Sequence, residues 1–401
     1  MRELAFAPRE GDTRAMLALI ALAVLAQPVV HSQAELLDAL SAGPTPLDAM
    51  SAEGRAQFVG QLAWNERGLV GLSTAVPLLE LDADQITVLF GFIGAASYAP
   101  GLIAKVAGVP PLRLPGPTPR AAALRAEIAR LTAAHAPSEP PPSEGLTQRD
   151  DEALSKWFRG VSKRSMAPAS LRAASLGDLP IMMEVARSAF ERTSDEASFK
   201  AVRAVYEEFK RRKIDTRRVF DASMLHCLLA SQRFEEARAF ALAHPRLQVR
   251  VPQVVDSLAV RAKGRTLLEL DAEGTALTRR ESGELELVMV IGTGCHYSID
   301  ALRDIAADPL LLATLNAHHL LVVTSPRDSI SFDFVSEWNS AHPSMPIAIP
   351  FSAGEWKEID VRAVPQFVIF RSGRARAVVS GWPSGGNARA LRAALEPAAG
   401  E

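Results

Sequence analysis

The sequence ELVMVIGTGCHYS, residues 286–298, joins a buried-strand pattern to a cysteine at the start of a helix. Residues 286–292 are dominated by a continuous apolar run with Val and Ile, which is typical of a strand buried on both faces. A helical pattern follows over residues 298–316. Cys295 is therefore expected at a helix N-terminus, where unpaired N–H groups and the helix dipole stabilise a thiolate relative to a thiol.

Ser298 and His296 are the side chains best placed to act on that thiolate. Ser298 follows Cys295 by one helical turn, so its hydroxyl can donate a hydrogen bond to the sulfur. His296 would add a positive charge beside the sulfur when its imidazole is protonated. Each residue also has a structural interpretation: Ser298 as a helix-capping residue, His296 as an exposed residue without a role, and Cys295 as an incidental thiol.

The sequence Val364-Pro365-Gln366 is the second candidate feature, and it directly precedes the apolar strand FVIF. X–Pro bonds are where cis peptides occur, and a proline at a strand start gives up one hydrogen-bond donor. A tight bend there would expose the backbone of Val364 for pairing with an extended peptide.

Strand and helix patterns alternate through the rest of the C-terminal part. Strands are predicted at 266–271, 275–280, 286–292, 319–325, 346–350, 366–371 and 375–382, and helices at 298–316, 328–341 and 386–396. The first two strands form a β-hairpin with a glycine-containing turn. The order from 284 onward predicts a βαβ start and a mixed central sheet with helices on both faces.

Residues 284–398 resemble a thioredoxin-like domain of the secreted thiol–disulfide type. The features that carry the resemblance are the first buried strand, the Cys-x-x-Ser turn at 295–298, the Val-Pro pair at 364–365 and the turn at Gly373. The resemblance covers just over a quarter of the chain. It implies that Cys295 is the exposed nucleophile, that Pro365 is the cis-proline beside it, and that Val364 lies at the client-binding backbone.

The sequence departs from the family pattern at three positions. Ser298 replaces the resolving cysteine, Gly294 replaces the usual tryptophan, and the strand carries only Glu286, at its edge, as an acid. A serine cannot close an intramolecular disulfide, so Cys295 would form a mixed disulfide that an external thiol such as glutathione releases. If the protein is an enzyme, this implies a monothiol thiol–disulfide oxidoreductase with no bound cofactor, whose catalytic residues are Cys295, Ser298, His296 and Pro365.

Residues 15–26, AMLALIALAVLA, predict a secretory signal within 1–34. Arg14 precedes this apolar run, which is too short to span a bilayer of about 30 Å comfortably. We expect export to the periplasm or the cell exterior, or retention at the membrane by an uncleaved signal. The alternative is a buried helix of a cytoplasmic protein.

Two helical regions, 36–134 and 150–262, are separated by a Pro/Ser-rich linker or loop at 135–149. Helices are predicted at 52–63, 83–98, 178–193, 195–213, 216–230 and 232–243. The short loops of the second region suggest helical hairpins similar to tetratricopeptide arrays. A β-hairpin lead-in at 264–283 precedes the domain at 284–398. The predicted fold class is multidomain: an all-α helical-hairpin region, then a C-terminal α/β thioredoxin-like domain.

The other reactive side chains are predicted to have structural roles. Cys227 lies on an apolar helix face and is predicted to be a buried small hydrophobe, with a disulfide to Cys295 as the alternative. The basic residues 210–213, with Arg217 and Arg218, are predicted to end a helix and complement its dipole, not to bind an anion. His318 and His319 alternate along a strand, so they are poor joint metal ligands.

Composition excludes several functional classes. Hydrophobic residues make up 48% and charged residues 22%, which excludes a wholly disordered chain. The 44 Lys and Arg against 46 Asp and Glu argue against a nucleic-acid partner bound by bulk charge. We expect no metal; the expected partners are a client thiol or disulfide and a protein at the helical region. The alternative function is a redox-inactive thioredoxin-like module on a helical scaffold for protein binding.

Overall fold

The computed structural model describes residues 28–65, 68–133, 144–255, 264–325, 330–356, 364–383 and 385–396. The predicted signal run at 15–26 and most of the predicted linker lie outside these residues. The chain forms two compact units. The first comprises Met1–Thr118, Ser175–Asp178 and Phe209–Asp221, and the second comprises Pro119–Ala174, Leu179–Glu208 and Ala222–Glu401. Within the described ranges, no helix has the length and apolarity needed to cross a membrane.

Among the described residues of the first unit, five helices and a small hairpin surround an apolar core, so the prediction of an all-α region over 36–134 is wrong at residues 63–65 and 68–71. The helices are α1 (Gln33–Ala42), α2 (Ala52–Gly60), α3 (Ala75–Glu80), α4 (Ala83–Phe92) and α5 (Ala99–Val106), with the antiparallel strands β1 (Ala63–Asn65) and β2 (Gly68–Gly71). Asp82 caps α4 in a capping box with Gln85. The predicted helix 83–98 ends early, because Gly94 adopts the left-handed conformation and closes a Schellman motif.

Seven further helices precede the main sheet. They are α6 (Pro119–Ala133), α7 (Glu144–Ser165), α8 (Pro168–Ala173), α9 (Asp178–Thr193), α10 (Glu196–Arg211), α11 (Phe220–Ala230) and α12 (Phe234–Ala243). The predicted helices from 178 to 243 match α9 to α12 closely, except that α11 begins at Phe220 and not at 216. Their amphipathic periodicity was sufficient to locate them.

An eight-stranded mixed sheet occupies the C-terminal part. Its strands are β3 (Gln253–Val255), β4 (Thr266–Leu270), β5 (Ala276–Glu281), β6 (Leu287–Ile291), β7 (Leu320–Thr324), β8 (Ile347–Pro350), β9 (Gln366–Arg371) and β10 (Arg374–Ser380). The order across the sheet is β10-β9-β6-β7-β8-β4-β5-β3. Strands β6, β7 and β8 run parallel, whereas β9 runs antiparallel to β6. All five residues of β6 are buried, in agreement with the continuous apolar run.

The β-hairpin predicted at the start of this part is the β4–β5 pair. It is continuous with the main sheet, because β4 pairs antiparallel with β8 as well as with β5. The register of β4 against β8 depends on residues about eighty positions apart, so local sequence patterns do not reveal it.

Four helices accompany the sheet: α13 (His296–Ala307), α14 (Pro309–Ala317), α15 (Phe332–Ala341) and α16 (Ala388–Leu395). The single helix predicted over 298–316 is wrong, since it is broken at Asp308. Pro309 cannot continue the helix, and the Asp308 side chain accepts hydrogen bonds from the N–H groups of Leu310 and Leu311. The break leaves α13 as a separate helix of three turns that begins directly after Cys295.

Candidate functional site

Cys295 is the N-cap residue of α13 and is partly exposed. The strand β6 ends at Ile291, and a tight turn follows in which the N–H of Cys295 donates to the carbonyl of Gly292 at 3.0 Å. The Cys295 side chain makes no capping hydrogen bond to the helix. The sulfur therefore lies at the positive end of α13 without being used to close its first turn.

The turn at Val364 meets Cys295 at this end of β6. The Val364–Pro365 peptide bond is cis. Antiparallel pairing of Val290 with Gln366 brings the start of β9 beside the last residues of β6. The Sγ–H group of Cys295 donates to the carbonyl oxygen of Val364 at 3.4 Å. Two features far apart in the sequence are thus joined by one contact.

Ser298 lies under the turn and is completely buried. Its Oγ accepts a hydrogen bond from the N–H of Gly292 at 3.1 Å. This bond ties α13 to the end of β6 and satisfies a buried backbone donor. The sequence predicted donation from Ser298 to the Cys295 sulfur, and the role as an acceptor for Gly292 was missed because it depends on the fold of the turn.

His296 and Tyr297 form the exposed side of the site. Their ring centroids lie 3.8 Å apart with the planes tilted by 39°. Tyr297 is 51% exposed, so it presents aromatic surface to solvent next to the thiol. The sequence indicated His296 as a site residue but not Tyr297, although the position of Tyr297 between Cys295 and Ser298 was a signal for it.

Thr293 connects the site to the segment before α15. It is buried, and its Oγ1 accepts a hydrogen bond from the N–H of Ser331 at 3.1 Å. The loop on which Cys295 lies is therefore fixed by two side-chain hydrogen bonds, one to Ser298 and one to Thr293. These two side chains fix the conformation of the turn that carries the thiol.

Charged groups are scarce beneath the site. Among the described residues, the buried carboxylates belong to Asp178, Glu208 and Asp221, all outside the C-terminal sheet. Two buried polar atoms, Thr324 Oγ1 and Gln366 Oε1, have no hydrogen-bond partner among the described residues. They lie on the two strands that flank β6, and the pairing register places them on opposite faces of the sheet. Neither residue is a charged proton acceptor.

Cys227 is far less accessible than Cys295. It is fully buried on α11, and both cysteines are free thiols. Burial raises the pKa of the Cys227 thiol to about 12, with a smaller contribution from the negative charge of Glu191. Its thiol therefore stays protonated at neutral pH, and it does not supply a resolving thiolate.

The basic residues that follow α10 do not act together. Arg217 forms an ion pair with Asp215 at 2.5 Å. Arg218 is buried and donates to the carbonyl oxygens of Val109 at 3.1 Å and Leu79 at 2.9 Å. The prediction that Arg218 ends α10 and complements its dipole is therefore wrong, because its guanidinium bonds instead to the loop carbonyl of Val109 and to the carbonyl of Leu79 in the last turn of α3.

The prediction that His318 and His319 alternate along a strand is wrong, because both lie in the turn between α14 and β7, near one carboxylate. His318 Nδ1 and His319 Nε2 are 3.7 Å and 3.9 Å from the carboxylate oxygens of Glu286. In the part of the chain that the structure describes, no group of three or more His, Cys, Asp and Glu side chains is arranged to hold a metal ion.

Comparisons with known proteins add little to this geometry. No protein-family model and no curated protein matches the chain. Among solved structures, the chain is similar to a thioredoxin-like protein from Bacteroides caccae, with 13% sequence identity and a TM-score of 0.22. The likeness covers 57% of this chain and 79% of that protein.

Proposed function

We propose that the protein performs thiol–disulfide exchange by a monothiol mechanism through Cys295. The observation that carries the proposal is the position of its sulfur, at the N-terminus of α13 and 3.4 Å from the Val364 carbonyl, next to the cis Val364–Pro365 bond. A helix N-terminus stabilises a thiolate, and the thiolate is the attacking species in exchange. The partly exposed sulfur is accessible to a disulfide.

The exchange proceeds in two balanced steps. The Cys295 thiolate attacks one sulfur of a client disulfide, a mixed disulfide forms, and the other client sulfur leaves as a thiolate. An external thiolate, such as that of glutathione, then attacks the client sulfur of the mixed disulfide. Cys295 leaves as a thiolate, and the client keeps the external thiol in a new disulfide. The external thiol is required because Ser298 cannot form a disulfide and Cys227 is buried.

Val364 is proposed to orient the client. Its carbonyl accepts from the Cys295 thiol, and a backbone N–H of an extended client peptide can compete for the same acceptor. Client binding would then free the sulfur at the moment of attack. The exposed rings of His296 and Tyr297 offer the neighbouring contact surface, and His296 would add positive charge when protonated.

A redox-inactive binding module is the alternative function. The observation that favours it is a pair of hydrogen bonds at the turn. The Gly292 N–H donates to the Ser298 hydroxyl oxygen, and the Cys295 thiol donates to the Val364 carbonyl. Both contacts stabilise the turn whether or not exchange occurs. In this alternative, the helices at 150–262 would bind a protein partner and Cys295 would not react.

Titration with 5,5′-dithiobis(2-nitrobenzoate), an aromatic disulfide, tests whether Cys295 can attack a disulfide at all, as the exchange function requires. We expect the native protein to release one equivalent of thionitrobenzoate, because Cys295 is accessible while Cys227 is buried with a raised pKa. Native Cys295→Ala should release none, and the same variant in guanidinium chloride should release one, from Cys227. Native Cys227→Ala is the matched control and should behave like the parent. Failure of Cys295 to react within hours would contradict the exchange function.

Export is the remaining part of the proposal. It is supported by the apolar run at 15–26 and its flanking Arg14. Cell fractionation of the full chain and of a variant lacking residues 1–34 tests it. We expect the full chain outside the cytoplasm, and equal cytoplasmic retention of both forms would contradict export.

A further inference from the structure

A groove at the opposite edge of the main sheet has the features of a second binding site. It has a volume of about 500 Å³ and is lined by the C-terminal part of α12, by the segment 245–251 that leads into β3, and by Thr275. β3 is the terminal strand, five strands away from β6. The residues that matter for recognition are Arg238, Leu242, Val249, Arg250 and Val251.

Apolar side chains form both the floor and the rim of the groove. Val251 is buried at its base, whereas Leu242 on the rim is 70% exposed and Val249 is 39% exposed. Val255, at the end of β3, is also exposed. Exposed large apolar side chains that cluster around a concavity mark an interaction site more often than isolated ones do.

The charges that line the groove are both positive. Arg238 and Arg250 form neither a hydrogen bond nor an ion pair with any of the described residues, and no carboxylate lines the groove. The nearby carboxylate of Asp271 accepts hydrogen bonds from the N–H and hydroxyl of Thr275, and these bonds lower its pKa. Asp271 forms no ion pair with Arg238 or Arg250; its carboxylate is used within the turn at 271–275.

Backbone pairing at this edge is restricted. Gln253 N–H donates inward to the Thr275 carbonyl at 2.9 Å, so the next N–H along β3 points outward. This outward group, on Val254, donates to the Glu235 carboxylate at 3.1 Å. A partner is therefore recognised through the side chains of the groove and not by addition of a strand at this position.

We infer that the groove binds an acidic peptide segment of a partner protein, anchored by apolar side chains. The partner's apolar side chains enter between Leu242 and Val249, and its carboxylates pair with Arg238 and Arg250. A concave site suits an inserted side chain better than a flat membrane surface. The inference does not depend on Cys295, so it stands or falls separately from the exchange function.

Fluorescence anisotropy of the full chain with fluorescein-labelled Glu-Glu-Leu-Leu-Glu-Glu tests this inference. We expect saturable binding that weakens as salt rises. The double variant Arg238→Glu/Arg250→Glu and the single variant Leu242→Ser should each bind at least about tenfold more weakly. The matched controls are Arg303→Glu and Leu310→Ser, which alter an exposed arginine and an exposed leucine elsewhere in the same unit, and they should bind like the parent.

Four results would overturn the inference. They are no saturable binding up to 1 mM peptide, equal losses in the control variants, equal binding of the Lys-Lys-Leu-Leu-Lys-Lys peptide, and binding to phosphatidylserine vesicles without binding to the acidic peptide. Sedimentation velocity adds a further check, since a dimer that Leu242→Ser dissociates would assign the groove to a second copy of the chain. Thermal unfolding by circular dichroism confirms that each variant is folded before its peptide binding is compared with that of the parent.

Discussion

Ser298 shows how one side chain can serve the structure and the chemistry of the same turn. It is the third residue of α13, completely buried, and its hydroxyl accepts from Gly292 at 3.1 Å. A cysteine at this position would lie one helical turn from Cys295, on the same side of the helix start. The serine therefore keeps the turn closed while it prevents an internal disulfide.

Ser298→Cys should convert the site to a dithiol. We expect oxidised glutathione to remove both thiols of the site through a disulfide between Cys295 and the introduced cysteine, because the two side chains are neighbours at the start of α13. Thiol titration and mass spectrometry measure the loss of two hydrogens. Ser344→Cys, at an exposed position, is the control and should form only mixed disulfides. A Ser298→Cys variant that stays reduced would argue against this geometry.

The cap of α10 is an element whose stability depends on pH. Burial alone would raise the pKa of Asp195, but hydrogen bonds from Ser155 and Ser198, with the nearby charge of Arg159, hold its pKa below the ordinary value. Ser155 lies on α7, so the carboxylate joins two helices. Because the folded-state pKa is lowered, this stabilisation is complete above the unfolded pKa of about 3.9 and is lost as the pH falls through the folded value.

Asp195→Asn should remove the charge while keeping a capping oxygen. We expect a loss of about 0.5 kcal/mol at pH 7 after discounting for solvent screening, and a smaller difference from the parent at pH 3. Urea unfolding at the two pH values measures both free energies. Asp333→Asn on α15 is a control whose carboxyl lies in another first turn. A pH-independent difference would show that the charge of Asp195 contributes nothing.

The C-terminus of α4 depends on a single glycine. Gly94 has a φ of 70°, and the following N–H of Ala95 donates to the Phe90 carbonyl at 2.8 Å. An added Cβ would meet only ordinary contacts at 3.5 Å or more, so the cost of a larger residue is conformational.

Gly94→Ala should therefore destabilise the first unit by about 1 kcal/mol. Gly91→Ala provides a control of opposite sign, since Gly91 lies inside α4 with free space around its Cα and alanine favours helix. Thermal unfolding of both variants tests the pair. Equal changes in Tm would contradict the assigned role of Gly94.

At the scale of the whole molecule, a buried arginine unites distant segments of the first unit. Arg218 donates to the carbonyls of Val109 and Leu79, more than one hundred positions earlier in the chain. Desolvation lowers the pKa of its guanidinium, partly offset by the charges of Asp82 and Asp215. The segment Phe209–Asp221 thereby becomes part of a unit that otherwise comprises Met1–Thr118 and Ser175–Asp178.

Arg218→Met should destabilise this unit by about 3 kcal/mol. The substitution keeps an apolar stem but leaves buried carbonyl acceptors without their donor. Arg217→Met is the matched control, because its exposed pair with Asp215 is worth about 1 kcal/mol or less. Urea unfolding compares the two variants, and similar losses would contradict the structural role of Arg218.

Local patterns determined which stretches become strands and helices. The apolar run at 286–292 and the amphipathic repeats between 178 and 243 both specify their elements, because strand and helix periodicity depends on neighbouring residues. The strand–helix order also predicted a mixed sheet. The wrong prediction of one helix over 298–316 also had a local signal against it, because Pro309 lies within that range.

Only the tertiary structure determined which distant residues meet. It paired β4 with β8, placed Val364 beside Cys295, bonded Ser298 to Gly292 and buried Arg218 against the carbonyls of Val109 and Leu79. It also left Leu242 and Arg250 exposed around one groove. Pattern and propensity describe neighbours along the chain, whereas these contacts depend on the path of the backbone in space and on the need to satisfy every buried polar group.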